Sequence, residues 1–161
     1  MHDFYRSPTT PFGCLLKVLK TIFCLQYILQ SFVYYSTFMT NTPDEIIRSF
    51  CGKWADGDVE EILNYFDEKA IYHNIPMAPA NGIDEIRLFI EGFFSSAESI
   101  DFEILHQVAS GNTVMNERID TLVIGDATTK LPVAGIFKVL DGKIIEWRDY
   151  FDMGQFTASM A

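Results

Sequence analysis

The chain has 161 residues, 48% hydrophobic and 14% aromatic, with a formal net charge of −10. That is enough apolar material for one packed domain and too much for a disordered or repeat protein. The acidic balance, with no cluster of Lys and Arg, argues against nucleic acid as a partner, because holding a phosphate backbone needs clustered positive charge.

Residues 12–38 are rich in Leu, Ile, Phe, Tyr and Cys, carry Lys17 and Lys20 as their only charges, and give way to an ordinary composition near Met39. Residues 1–38 therefore read as a hydrophobic extension and 39–161 as the folded domain. Three readings of the extension are open: an over-extended start with the initiator at Met39, a membrane-associating or targeting segment, and a docked helix. The uncharged run 21–38 is only just long enough to span a bilayer, and Gln26, Gln30 and Ser31 weaken it. Membrane contact is expected only if residues 1–38 are real. Cys14, Cys24 and Cys51 have neither metal-ligand spacing nor an even disulfide framework, which suits a reducing cytoplasm.

Thr42, Pro43, Asp44 and Glu45 make a capping box with Pro at the first helical position, and Ile46, Ile47, Phe50 and Trp54 follow on one stripe. Gly57 breaks that helix. Asp58 opens a second, with Val59, Ile62, Leu63 and Phe66 on its apolar side. A short strand is expected over 70–75, then a loop with Pro76, Pro79 and Asn81-Gly82, then a third helix marked by Ile86, Phe89, Ile90 and Phe93. From there the period is two. Ile100, Phe102, Ile104, His106 and Val108 alternate, and strands are expected at about 113–125, 130–140 and 143–152, the last two joined at Asp141-Gly142. Three helices followed by an antiparallel meander predict an α+β domain, a curved sheet folded over helices.

Polar side chains fall on the apolar faces of these strands. Val114, Asn116, Arg118, Asp120, Leu122 and Ile124 share one face, and Asp149 shares another with Ile145, Trp147 and Phe151. In the short strand Tyr72 and Asn74 point the same way. Buried ions are costly unless paired, so two acids with an Arg between them predict a polar site in an apolar pocket lined by Met77, Leu122, Ile145, Trp147 and Phe151. Tyr72 and Asn74 can hold a water between them, Asp149 can take its proton, and Asp120, if protonated, can donate to an oxygen leaving group while Arg118 bridges both acids. Ordinary readings stand beside this one: a structural Arg118–Asp120 ion pair, a solvent-facing Asp149, a core Tyr72 and a turn Asn74. His73 and His106 have no nucleophile partner or metal spacing and read as structural.

Together Tyr72-His73-Asn74, Glu117-Arg118-Ile119-Asp120 and Trp147-Arg148-Asp149-Tyr150-Phe151-Asp152, with the Pro-rich loop 75–82 and the hairpin 130–152, resemble the limonene-1,2-epoxide hydrolase family over about residues 42–156. The resemblance implies a cone of curved, mixed but largely antiparallel sheet closed by three N-terminal helices, a fold shared with ketosteroid isomerases and SnoaL-like polyketide cyclases. It implies a homodimer and one-step hydration of a lipophilic, terpene-like epoxide to a vicinal diol, without metal, cofactor or covalent intermediate. It assigns water positioning to Tyr72 and Asn74, the base to Asp149, the bridge to Arg118 and the acid to Asp120. The rivals are a ketosteroid-isomerase-like proton shuttle and a non-catalytic module that binds a hydrophobic ligand.

Overall fold

The computed structural model describes Gln26 and residues 41–158. The chain divides between Thr40 and Asn41, and the unit that begins at Asn41 is the one treated below. The readings made for residues 1–38, Cys14 and Cys24 included, lie outside the described residues, Gln26 apart. Among the described residues no helix is long and apolar enough to cross a membrane.

Helix α1, Pro43–Lys53, starts as expected: the Thr42 hydroxyl accepts from the Glu45 amide at 3.3 Å, and the Glu45 carboxylate accepts from the Thr42 amide at 2.8 Å. Its buried face carries Ile46, Ile47, Phe50 and Cys51. A 3-10 turn, Trp54–Asp56, buries Trp54 and ends at Gly57, whose φ of +71° is a left-handed conformation that glycine adopts without strain. Asp58 caps the short helix α2, Val59–Leu63. Phe66, expected on that helix, instead opens strand β1, Phe66–Asn74. The polar run Asp67, Glu68 and Lys69 hides the two-residue period at this strand's start. Strand β2 is only Ala80–Asn81, and Gly82, at φ +80°, turns the chain into α3, Ile83–Ser96.

Strands β3 (Ser99–Ser110), β4 (Thr113–Ile124), β5 (Ala127–Leu140) and β6 (Lys143–Tyr150) form the expected meander. The sheet is nevertheless mixed, because β1 lies parallel to β6, giving the order β2-β1-β6-β5-β4-β3. With an edge at each end it curves over the helices but is not a closed barrel. Chain direction changes once more than the sequence suggested: β6 ends at Tyr150, and Asp152 caps a last helix, α4 (Met153–Ala158), by accepting from the amides of Gly154 and Gln155.

Two bulges reset which residues face inward. In β6 Ile144 pairs with Val139 and Glu146 with Lys138, so Ile145 is an extra residue and Ile144 takes the buried position. In β3 the register shifts between Ile104 and His106. His106 therefore faces outward, where it meets Glu117, and Gln107 turns to the helix side, contrary to an unbroken alternation.

The core between sheet and helices is aromatic. Phe50 makes edge contacts with Trp54, Phe66, Phe137 and Trp147 at centroid distances of 5.1–6.1 Å. It joins α1 to both halves of the sheet, so Phe50→Ala is expected to lower stability by about 3–5 kcal/mol in chemical denaturation, with a cavity left behind.

Candidate active site

Strand pairing assembles the site. In the parallel pair Tyr72 lies beside Trp147 and Asn74 beside Asp149, so the Tyr-x-Asn and Trp-x-Asp spacings put all four side chains on one face. The Tyr72 hydroxyl donates to Asn74 Oδ1 at 3.1 Å. Strand β4 presents Asn116, Arg118, Asp120 and Leu122 to the same interior, each of them buried.

Arg118 is 0% exposed and holds the two acids, Asp120 at 7% and Asp149 at 3%. Its Nε and Nη2 donate to the two oxygens of Asp120 at 2.7 and 3.1 Å. Nη1 donates to Asp149 Oδ1 at 3.0 Å, and Nη2 also donates to Asp149 Oδ2. The guanidinium carbon lies 4.7 Å from the centroid of the Phe102 ring, whose face adds further attraction for a cation. Asp149 also accepts from the Trp147 indole N–H at 2.6 Å.

Arg118 and Asp149 stand two strands apart, with β5 between them. At about 4.8 Å per strand only a long side chain spans the gap, and it crosses β5 over Gly135, which pairs with Asn116 on one side and Asp149 on the other. A Cβ at Gly135 would lie 2.6 Å from Asn116 Oδ1 and 2.8 Å from Phe137 Cε2 and would overlap Arg118 Nη1. Gly135 is thus part of the site. Sequence reasoning missed it, although a lone glycine in a strand is the signal for such a close approach.

A cavity of about 340 Å³ opens on this cluster. Tyr72, Asn74, Asp120 and Asp149 reach it, together with Met77, Leu122 and Phe151 from the expected lining. Two expected lining residues do not. Ile145 is turned away by the β6 bulge, and Trp147, though inward, is covered by Tyr72 and Phe137, whose rings stack on it at 3.9 and 5.5 Å. Trp147 acts from behind, through its N–H on Asp149. Phe89 and Phe93, which mark the apolar stripe of α3, are only partly buried and line the cavity. Phe156 on α4 lines it too; the Asp152 cap was the sequence signal for that helix. His73 contacts the Met77 carbonyl, and His106 sits on the surface. Among the described residues no group of three or more His, Cys, Asp or Glu could hold a metal ion.

Burial dominates the titration of the two acids. It pushes Asp120 up to about 7, with Arg118 opposing and Asp149 assisting. It also raises Asp149, against the charge and hydrogen bonds of Arg118 and the Trp147 N–H. Tyr72 is held well above its ordinary value by burial and by Asp149, so it stays a neutral phenol. The folded protein therefore holds Asp120's proton more tightly than the unfolded chain, where an Asp titrates near ~4. The stability contributed by that proton is complete below about pH 4 and is lost as the pH rises through about 7. Asp120→Asn, neutral throughout, is expected to reduce this decline in urea denaturation; an unchanged slope contradicts the assignment. Gly135→Ala is expected to cost about 1–3 kcal/mol in the same assay by displacing the Arg118 guanidinium.

Comparison with known proteins places the chain in a family. The family described as the limonene-1,2-epoxide hydrolase catalytic domain matches residues 42–161. Epoxide hydrolase EphG of Mycobacterium tuberculosis is 45% identical over 56 residues, 34% of this chain and 38% of the relative, so the match spans well under half the length of that relative. The solved structure of an M. tuberculosis LEH-like epoxide hydrolase superposes with a TM-score of 0.66 at 24% identity, covering 73% of this chain and 89% of the other. A SnoaL-like polyketide cyclase from Shewanella denitrificans does so with a TM-score of 0.66 at 14% identity, covering 73% and 96%. At these identities the structural likeness shows the cone fold alone. The match to residues 42–161 goes further, and the chain belongs to the limonene-1,2-epoxide hydrolase family.

Proposed function

We propose that the protein hydrates a lipophilic epoxide to a vicinal diol in one step. The observation that carries this reading is the double fork of Arg118 on two buried carboxylates that both reach the cavity. Closely spaced acids in an apolar site do not both ionise readily, so one keeps a proton at neutral pH while the other is a base. Asp120 is the acid. Asp149, whose charged form the Arg118 guanidinium and the Trp147 N–H favour against the cost of burial, is the base.

A water seated against Tyr72 and Asn74 lies beside Asp149, because Asn74 and Asp149 are neighbours across the parallel pair. As the water oxygen bonds to an epoxide carbon, one water proton passes to Asp149 and the C–O bond of the ring breaks. The electrons of that bond go to the ring oxygen, which takes the proton of Asp120. Epoxide and water become the diol, and the cycle closes when Asp149 gives up its proton and Asp120 regains one. No step uses a metal or a covalent enzyme intermediate.

The remaining wall is apolar, with Met77, Phe89, Phe93, Leu122, Leu131 and Val133. At about 340 Å³ the cavity falls at the small end of small-molecule sites, which run from about 300 to 1,000 Å³. This supports a compact, terpene-sized epoxide as substrate. The outer face of the sheet exposes Met115 and Tyr150, and we place a second copy of the chain there, as an exposed apolar strand face favours a cover.

Turnover of a panel of terpene, styrene-type and aliphatic epoxides in oxygen-labelled water tests the reading. Label in the diol is expected, with Asp149→Asn and Asp120→Asn each losing about 100-fold or more in kcat while the fold survives by circular dichroism. The rate is expected to fall on the alkaline side near pH 7, as Asp120 loses its proton. Full activity in both variants contradicts the assignment of the acids, and product without label points to isomerase chemistry.

A further inference from the structure

The proposed reaction needs Arg118 to serve Asp120 and Asp149 at once, and its bonds to the two acids do not by themselves stop the guanidinium from settling on one of them. A guanidinium has five N–H donors. Two go to Asp120 and two to Asp149. The fifth, on Nη1, donates to Asn116 Oδ1 at 3.3 Å, and Asn116 is 5% exposed.

An amide can take this place only with its oxygen toward Arg118, since its NH2 would face donor against donor. That orientation is imposed from outside. Asn116 Nδ2 donates to Gln107 Oε1 at 3.4 Å, and Gln107 Nε2 donates to both the backbone oxygen and Oδ1 of Asp44, each at 2.9 Å. Asp44 lies in the first turn of α1, and its bonds from Gln107 and Arg48 hold its carboxyl below the usual range. An ionised carboxylate accepts only, so Gln107 must turn its NH2 toward it and its oxygen toward Asn116, and Asn116 must then turn its own oxygen toward Arg118. The β3 bulge is what brings Gln107 to this side of the sheet, in register with Asn116.

We propose that Asn116, oriented by Gln107 and Asp44, is a positioning residue that occupies the fifth N–H of Arg118 and thereby keeps the guanidinium shared between Asp120 and Asp149. This rests on the reaction proposed above for what the sharing achieves. The contacts themselves do not depend on it. The titratable and charged groups facing Arg118 and the acids are Cys51 from α1, Tyr72 from β1 and Asp101 from β3, and none of these is within hydrogen-bond distance of the guanidinium.

The test compares Asn116→Ala, Asn116→Asp and Gln107→Ala in the full chain with the unaltered protein. The readouts are epoxide turnover across pH and titration of the isotope-labelled Asp120 carboxyl by NMR. Asn116→Ala is expected to lower kcat about 10-fold at unchanged KM, and Gln107→Ala to lower it less. Asn116→Asp keeps an acceptor but adds a third carboxylate to one Arg. The midpoint of Asp120 should then rise by about one unit, carrying the alkaline limb of the rate with it. Wild-type kcat in Asn116→Ala, or an unmoved Asp120 titration in Asn116→Asp, overturns the proposal. If Asn116→Ala does not fold, the other two variants decide. Should the unaltered protein open no epoxide, the reaction reading fails by itself, and the carboxyl titration still decides whether Asn116 governs Arg118.

Discussion

A fully buried guanidinium is the constraint around which this domain is arranged. Taking such a cation out of water costs several kcal/mol even after relaxation, and the cost is recovered only if every donor finds a partner. Arg118 meets the condition with two carboxylates and an amide. The carboxylates bring their own difficulty, because a buried cluster of two anions and one cation carries a net negative charge. The least costly remedy is to leave a proton on one acid. Burial therefore favours a protonated carboxyl beside an ionised one, the pairing that the proposed epoxide opening uses, with Arg118 and the Trp147 N–H on the ionised side.

The sheet topology follows from the same demand. Asp149 on β6 and Arg118 on β4 meet because β5 passes between them with Gly135 at the crossing point. Asn74 reaches Asp149 because β1 runs parallel to β6 in register. Behind the acids, Trp147 is clamped between Tyr72 and Phe137, so its N–H is a fixed donor to Asp149. Aromatic packing and the geometry of the candidate site are thus one structure, and the Phe50 contacts that hold the core together also hold the back wall of the site.

Much of this was legible in the sequence because a strand's two-residue period is local information. The inward set Asn116, Arg118, Asp120 and Leu122 follows from spacing alone, as does the Thr42 capping box. The misplaced cavity residues were those whose position depended on another strand. Ile145 and Trp147 were both placed on the cavity wall by an unbroken alternation. The β6 bulge, created by pairing with β5 and β1, turns Ile145 away, and neighbouring rings cover Trp147. The parallel β1–β6 pair is likewise long-range, joining residues far apart in the chain. Gly135 and Phe156 belong to the same class: a glycine matters here only because an arginine from the next strand lies over it, and Phe156 only because the Asp152 cap folds α4 back over the pocket.

The account stands most directly on one protonation state. Infrared difference spectroscopy of the protein without substrate, at about pH 6, reads a protonated carboxyl by its carbonyl stretch, well separated from carboxylate bands. With Asp120 pushed up to about 7 by burial, a carboxylic acid band should be present, disappear above about pH 8, and be absent from Asp120→Asn. A protein with no such band at pH 6, or one whose band survives in Asp120→Asn, would contradict the division of labour between the two acids.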